Sequence, residues 1–378
     1  MAAKYPENEK ETPEPSTRNL ALDLTRGLAV CVMVIDHLAG HSYLHQITQG
    51  NMYVTAAEVF VVCAGLAIGL RSKHRWSTGG WRKLLPPLAK RAFVLYLWSV
   101  FLLIGIGALN KFSPGLGQPI FTAPHASWAS LIFPSLSLNL APPILDILPL
   151  YLNFLFLVPM LVLLLTRDGW GLIILISAVA WWLNWVEPYS LSWPPADRGG
   201  RTYFSLASWQ ILFVSGFLIA WFQKRLRAWW FWTPSYSWLI GLGIITAGLS
   251  WAAVQDSTLW AWPLESPERE SWLAATDRSL LGPIRLIAVA AFLPLLLRGM
   301  QTIATTPSLI HLRRVLLTLG QQSLYAYVTH IPMVIFWTVL IAPHLKGRAW
   351  LASLGQLAAV FTLWWMAKHR IGFRHLPL

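Results

Sequence analysis

Arg26, His37 and Glu58 are the residues whose types and positions best suit chemistry. Arg26 and His37 sit in the apolar stretch LALDLTRGLAVCVMVIDHLAGH, together with Asp23 and Asp36. Glu58 is the only charge in MYVTAAEVFVVCAGLAIGL. An ionisable group inside a membrane-length segment costs about 2.5–3.5 kcal/mol on insertion scales, so a chain that keeps several in two neighbouring segments uses them. On a helix, Arg26 and His37 fall within about 20° of one face and about 16 Å apart along the axis. Glu58, about one and a half turns into the second segment, comes to a depth similar to that of His37. A guanidinium grips phosphate or carboxylate, and an imidazole can take the proton of an incoming hydroxyl. A thioester donor with an anionic head and an extended pantetheine arm fits that separation. The basic loop expected at 71–91, with Arg71, Arg75 and Arg91, would seat its nucleotide phosphates.

The elements that position these groups must be membrane helices. Of the 378 residues 56% are hydrophobic and only 12% charged, and the mean hydropathy is +0.52. This is the profile of an all-α, polytopic integral membrane helical bundle in a lipid bilayer. Apolar runs predict about ten transmembrane helices, near 19–40, 53–71, 88–109, 144–166, 169–186, 203–222, 235–254, 280–299, 319–343 and 348–367. The Pro-rich stretch 121–143 reads as a loop. Residues 1–18 are polar, without a signal-peptide core, and read as a disordered cytoplasmic tail before a single domain, 19–378. Twenty Lys and Arg fall on one side of the predicted spans and seven on the other. That bias puts both termini in the cytoplasm. It also accounts for the +13 net charge without nucleic acid. The opposite segments, among them 110–143, 187–202 and 255–279, are long enough to roof a substrate groove. Cys31 and Cys63 lie inside spans, so no disulfide framework is expected.

The stretch LALDLTRGLAVCVMVIDHLAGH followed by AAEVFVVCAGLAIGL resembles the start of OpgC-type proteins, integral-membrane succinyltransferases of osmoregulated periplasmic glucans. The Arg26–His37 spacing is similar to the signature of the acyltransferase type three superfamily. DILPLYLNFLFLVPM, YFSLASWQILFVSGF and LGQQSLYAYVTHIPM resemble later parts of the family. The resemblance implies transfer of an acyl group, succinyl in that family, from cytoplasmic acyl-CoA to a hydroxyl of a periplasmic glucan or other glycan. It implies a multi-pass protein of a bacterial inner membrane, with His37 as general base. Acyl-CoA would be a co-substrate and no cofactor would stay bound. A transporter or flippase of a glycan or lipid-linked substrate is the rival reading, since intramembrane charges suit that class too. No inverted repeat or matching pair of broken segments favours it.

Other polar residues carry open alternatives. Asp36 either orients His37 or is an interfacial carboxylate, and Asp23 can neutralise Arg26 at three residues' spacing. Glu58 either supports His37 or is a buried hydrogen-bonded group. His330, beside Tyr325 and Tyr327, either lines the same cavity or is a core histidine. Arg201 and Gln210 suit contact with a glycan or carboxylate, and Arg201 equally suits a simple interfacial flank. Arg285 should face the bundle interior, either paired with an acid or holding a donor carboxylate; Asp146 and Asn153 are of the same kind. His37, His41 and His45 recur at the spacing of a metal-binding face. Gly40 interrupts that face and no carboxylate completes it, so no metal is expected. G-x-S-x-G, P-loop, G-x-G-x-x-G and His-x4-Asp patterns are missing from the chain.

Overall fold

The computed structural model describes residues 19–371 apart from 39–41, 51, 114–126, 141, 143, 189, 192–203, 231–235, 259–266 and 346. The expected tail at 1–18 therefore lies outside the described residues, as does Arg201. Among the described residues every regular element is helical.

Helix α1 spans Leu20–His37 and starts where the Asn19 side chain accepts the Leu22 amide at 3.2 Å. A turn at Tyr43–His45, continued at Gln46–Gly50, leads to α2, Ala56–Phe112. The latter corrects one expectation. The basic stretch 71–91 is not a loop between two spans; it is helical, broken only at Gly79–Gly80, where Gly80 has φ 55°. Lys, Arg and Leu favour helix, and only Gly enters the left-handed region freely, so the break falls on the glycines. Part of 121–143, expected as a loop, is also helical: α3 covers Trp128–Leu136, with Ser127 accepting the Ser130 amide at its start.

The chain continues through α4 (Ile147–Leu165), α5 (Trp170–Val186), α6 (Leu206–Trp221), α7 (Gln223–Trp230), α8 (Tyr236–Thr258) and α9 (Pro267–Thr276). It ends with α10 (Pro283–Thr305), α11 (Ile310–Gln321), α12 (Ser323–Phe336) and α13 (Ala349–His369). Among the described residues, five stretches are long and apolar enough to cross a membrane: α2, α4, α10, Ser323–Leu345 and α13. Shorter apolar helices lie at Trp170–Val186, Leu206–Trp221 and Trp238–Val254. Phe93, Phe101, Ile244, Trp251 and Phe361 are among many large apolar side chains left exposed, as lipid-facing helix surfaces require.

Small residues let the site-bearing helices approach closely. Where α1 crosses α11, a Cβ on Gly27 would lie 1.9 Å from the Leu316 carbonyl oxygen, and one on Gly320 would lie 1.9 Å from that of Asp23. Only glycine fits either position. The α2–α6 crossing is similar, with Gly65 against Phe213 and Gly216 against Val62. Phe154 and Phe213 stack at 4.6 Å where α4 meets α6.

Candidate active site

The last residue of α1 meets the middle of α12. His37 Nδ1 lies 2.8 Å from His330 Nε2, and His330 Nδ1 is hydrogen-bonded to the Tyr327 carbonyl oxygen one turn earlier. These contacts assign the protons. A carbonyl oxygen only accepts, so His330 Nδ1 carries hydrogen. The Nε2 of a neutral His330 is then an acceptor, and His37 must donate from Nδ1. His37 Nε2 is the ring nitrogen left with a lone pair. His330 is completely buried, so the pair is fixed by packing as well as by hydrogen bonds. From the other helix, Gln356 of α13 donates to the carbonyls of Ile35 and Leu38 at 3.2 and 3.4 Å, holding the end of α1 that carries His37.

His37 lines a cavity of about 230 Å³. One wall is the α1 face from Ala29 to His37, and another is the start of α2 at Ala56, Ala57 and Phe60. Ile144 and Asp146 just ahead of α4, Phe204 just ahead of α6, and Arg278 complete the lining; of the segments expected as a roof, 255–279 contributes through Arg278. Tyr327 joins the two parts of the site. Its carbonyl accepts from His330, its ring lies 5.1 Å from the His330 ring, and its hydroxyl donates to the Ile144 carbonyl.

Arg26 lies below this cavity and does not line it. Its guanidinium donates to Ser323 Oγ and lies 3.8 Å from the Asp23 carboxylate. Ser323 and His330 are seven residues apart, about two turns, so both ends of the α1 face meet one helix. Arg26, Arg71 and Arg91 lie within electrostatic reach of one another and of Tyr151. The Arg91 guanidinium sits 5.3 Å over the Tyr151 ring. These three arginines form a cationic cluster at the opposite end of α1 from His37. Arg75 is on the same helix as Arg71, beside the break at Gly79.

Several candidates are committed elsewhere. Glu58 does not reach His37. One of its oxygens is 3.0 Å from Arg285 Nη1; the other accepts the Thr55 amide at 2.9 Å and the Thr55 hydroxyl. Arg285 also donates to the carbonyls of Tyr53 and Thr276, at 2.7 and 2.6 Å. The carboxylate that Arg285 holds is therefore the protein's own, because a buried charge needs a partner. Gln210 is likewise saturated. It accepts Ser177 Oγ at 2.7 Å and donates to the carbonyls of Ser177 and Ala207, tying α5 to α6. Asp36 lines the cavity, but its 3.3 Å partner is His45 Nδ1. That contact raises the His45 pKa above its ordinary 6.5. His41 and Arg201 lie outside the described residues.

Sequence reasoning placed His330 near the site but not as the partner of His37. It named Tyr327 only as a neighbour of His330 and gave no role to Gln356 or Arg278. Gln356, a lone amide in an apolar helix, carried a signal of the ordinary intramembrane kind. Arg278 carried none, because it reads as one more cation in a segment between spans.

Fold and site together define a helical membrane protein whose first helix ends in a histidine-lined cavity. The profile described as "OpgC protein" matches residues 18–373, nearly the whole chain, and the chain belongs to that family. Searches of curated proteins and of solved structures return no match.

Proposed function

We propose that the protein is a membrane O-acyltransferase. It moves an acyl group, succinyl by family resemblance, from cytoplasmic acyl-CoA to a hydroxyl of a periplasmic glucan or related glycan. The observation that carries this reading is the chain Tyr327 C=O, His330, His37, which leaves the lone pair of His37 Nε2 beside a cavity. His37 Nε2 takes the proton of the acceptor hydroxyl. The oxygen attacks the thioester carbonyl, the carbon–sulfur bond breaks, and CoA leaves as the thiolate, which regains a proton. The imidazolium formed on His37 keeps donating from Nδ1 to His330 Nε2, and His330 Nδ1–H keeps donating to the Tyr327 carbonyl, until His37 Nε2 returns its proton to the thiolate. His330 thus does the orienting that an acidic residue does in hydrolase triads. Arg26, Arg71 and Arg91 receive the anionic donor from the cytoplasmic face, and ten spans hold both termini there. For the thioester to reach His37, the Arg26–Ser323 contact must open toward Ala29.

The reading is tested by supplying acyl-labelled acyl-CoA to membranes containing the protein and recovering the glycans. Label covalently attached to glycan and sensitive to mild base supports it. Unlabelled glycan crossing the membrane, with all label left on CoA, contradicts it and favours transport.

A further inference from the structure

Asp146 has no role in the mechanism above, yet its placement is unusual. It is 3% exposed, and neither carboxylate oxygen has a hydrogen-bond partner. It occupies the N-cap position of α4, where an aspartate ordinarily accepts from the first turn, but its side chain caps nothing. The amides of Asp146 and Ile147 are near enough to act electrostatically without reaching hydrogen-bond geometry. Two residues earlier, Ile144 has φ 79°, a left-handed conformation that a β-branched side chain resists. The Tyr327 hydroxyl grips the Ile144 carbonyl and holds it there. Strain of this kind persists where the surroundings over-determine it, commonly at ligand sites. Across the same cavity Arg278 lies over the Phe204 ring at 5.9 Å, and its Nε is also buried without a partner.

We propose that Asp146 is the acceptor-binding residue of this cavity: its carboxylate takes hydrogen bonds from two neighbouring hydroxyls of one sugar ring and so presents a further hydroxyl to His37. Arg278 donates to a ring or hydroxyl oxygen of the same sugar. The inference rests on the acyl-transfer reading above. Its logic is chemical. Hydroxyl donors favour the charged form of this buried carboxyl, which then only accepts, so the missing partner must bring donors. Asp36 and Asp146 outnumber the single guanidinium of Arg278 here, which disfavours an anionic group and suits a neutral polyol. An ammonium held by Asp146 would stay protonated and could not attack. Phe60 and Phe204 offer apolar walls for the C–H faces of a pyranose. Pockets for drug-sized ligands run to about 300–1,000 Å³; a cavity of about 230 Å³ takes one ring of a glycan and leaves the rest outside.

The experiment uses the full chain in nanodiscs, with labelled acyl-CoA and a glucan oligosaccharide. Wild type is compared with Asp146→Asn and Asp146→Leu for KM of each substrate. Calorimetry gives the glucan Kd without donor, so that the answer does not depend on turnover. Losing hydrogen bonds to a charged group predicts a glucan KM and Kd raised about tenfold or more in Asp146→Leu. Asp146→Asn, which keeps one acceptor oxygen, should fall between, and the donor KM should move far less. Equal melting temperatures establish that the variants are folded; if the leucine variant is not, the asparagine variant and its Kd decide. Unchanged glucan KM and Kd in the folded variants overturn the proposal. So does wild-type protein that acylates a non-sugar hydroxyl and binds no glucan, which leaves acyl transfer standing. Protein that binds glucan through Asp146 but transfers nothing keeps the subsite and removes the reaction.

Discussion

His37 depends on a partner 293 residues away in sequence. Replacing His330 by alanine removes the acceptor that fixes the His37 tautomer, so kcat should fall about tenfold or more, by analogy with triads whose orienting residue is lost. A merely structural histidine would leave kcat of the folded variant unchanged. A second residue-scale expectation concerns His45. Its pKa is raised in the folded protein by Asp36, so the stabilisation is complete below its unfolded value of about 6.5 and is lost as pH rises through the folded value. Melting temperature should therefore decline across that window more in wild type than in His45→Gln; parallel profiles would contradict the pairing. The sequence revealed His37 because a charged or titratable group in an apolar helix stands out. It hid the His37–His330 bond because residue spacing gives the face of one helix but not which helix lies against it. Glu58 stands out for the same reason as His37, but where its carboxylate points depends on Arg285 arriving from α10.

At the scale of elements, the Glu58–Arg285 pair ties the start of α2 to the start of α10. Breaking one side of such a buried pair leaves an uncompensated charge, and about 3–5 kcal/mol of stability should be lost in Glu58→Ala. Replacing both partners with apolar residues of similar size should recover most of it. Denaturation in detergent measures both, and a folded, fully stable Glu58→Ala would show that the pair does not hold these helices. The α1–α11 crossing gives a sharper case. A methyl group at Gly320 meets the Asp23 carbonyl oxygen at 1.9 Å, so Gly320→Ala must push α1 away and lower stability and transfer together. Most helices were legible from apolar runs: α1, expected at 19–40, spans Leu20–His37, and α5, expected at 169–186, spans Trp170–Val186. The basic stretch of α2 has no apolar run to mark it as helix, yet only the glycine pair at 79–80 breaks it. Part of the Pro-rich stretch 121–143 is helix because Ser127 caps it, a local signal that the surrounding prolines mask.

For the whole molecule, the proposed arrangement separates two chemistries by the length of α1: a cationic cluster near Arg26 and a titratable pair at His37. In a background with Cys31 and Cys63 replaced by alanine, a cysteine at residue 47 should react with an impermeant maleimide in intact cells. One at residue 75 should react only after permeabilisation. The reverse pattern would invert the path of the donor. The measurement that bears most directly on the mechanism is the single-turnover rate of acyl transfer from acyl-CoA to glucan by folded His37→Ala protein. A general base contributes about 10²–10⁴-fold, so the rate should fall by that factor while both substrates still bind. A rate equal to that of wild type would contradict the assignment of His37 as the base.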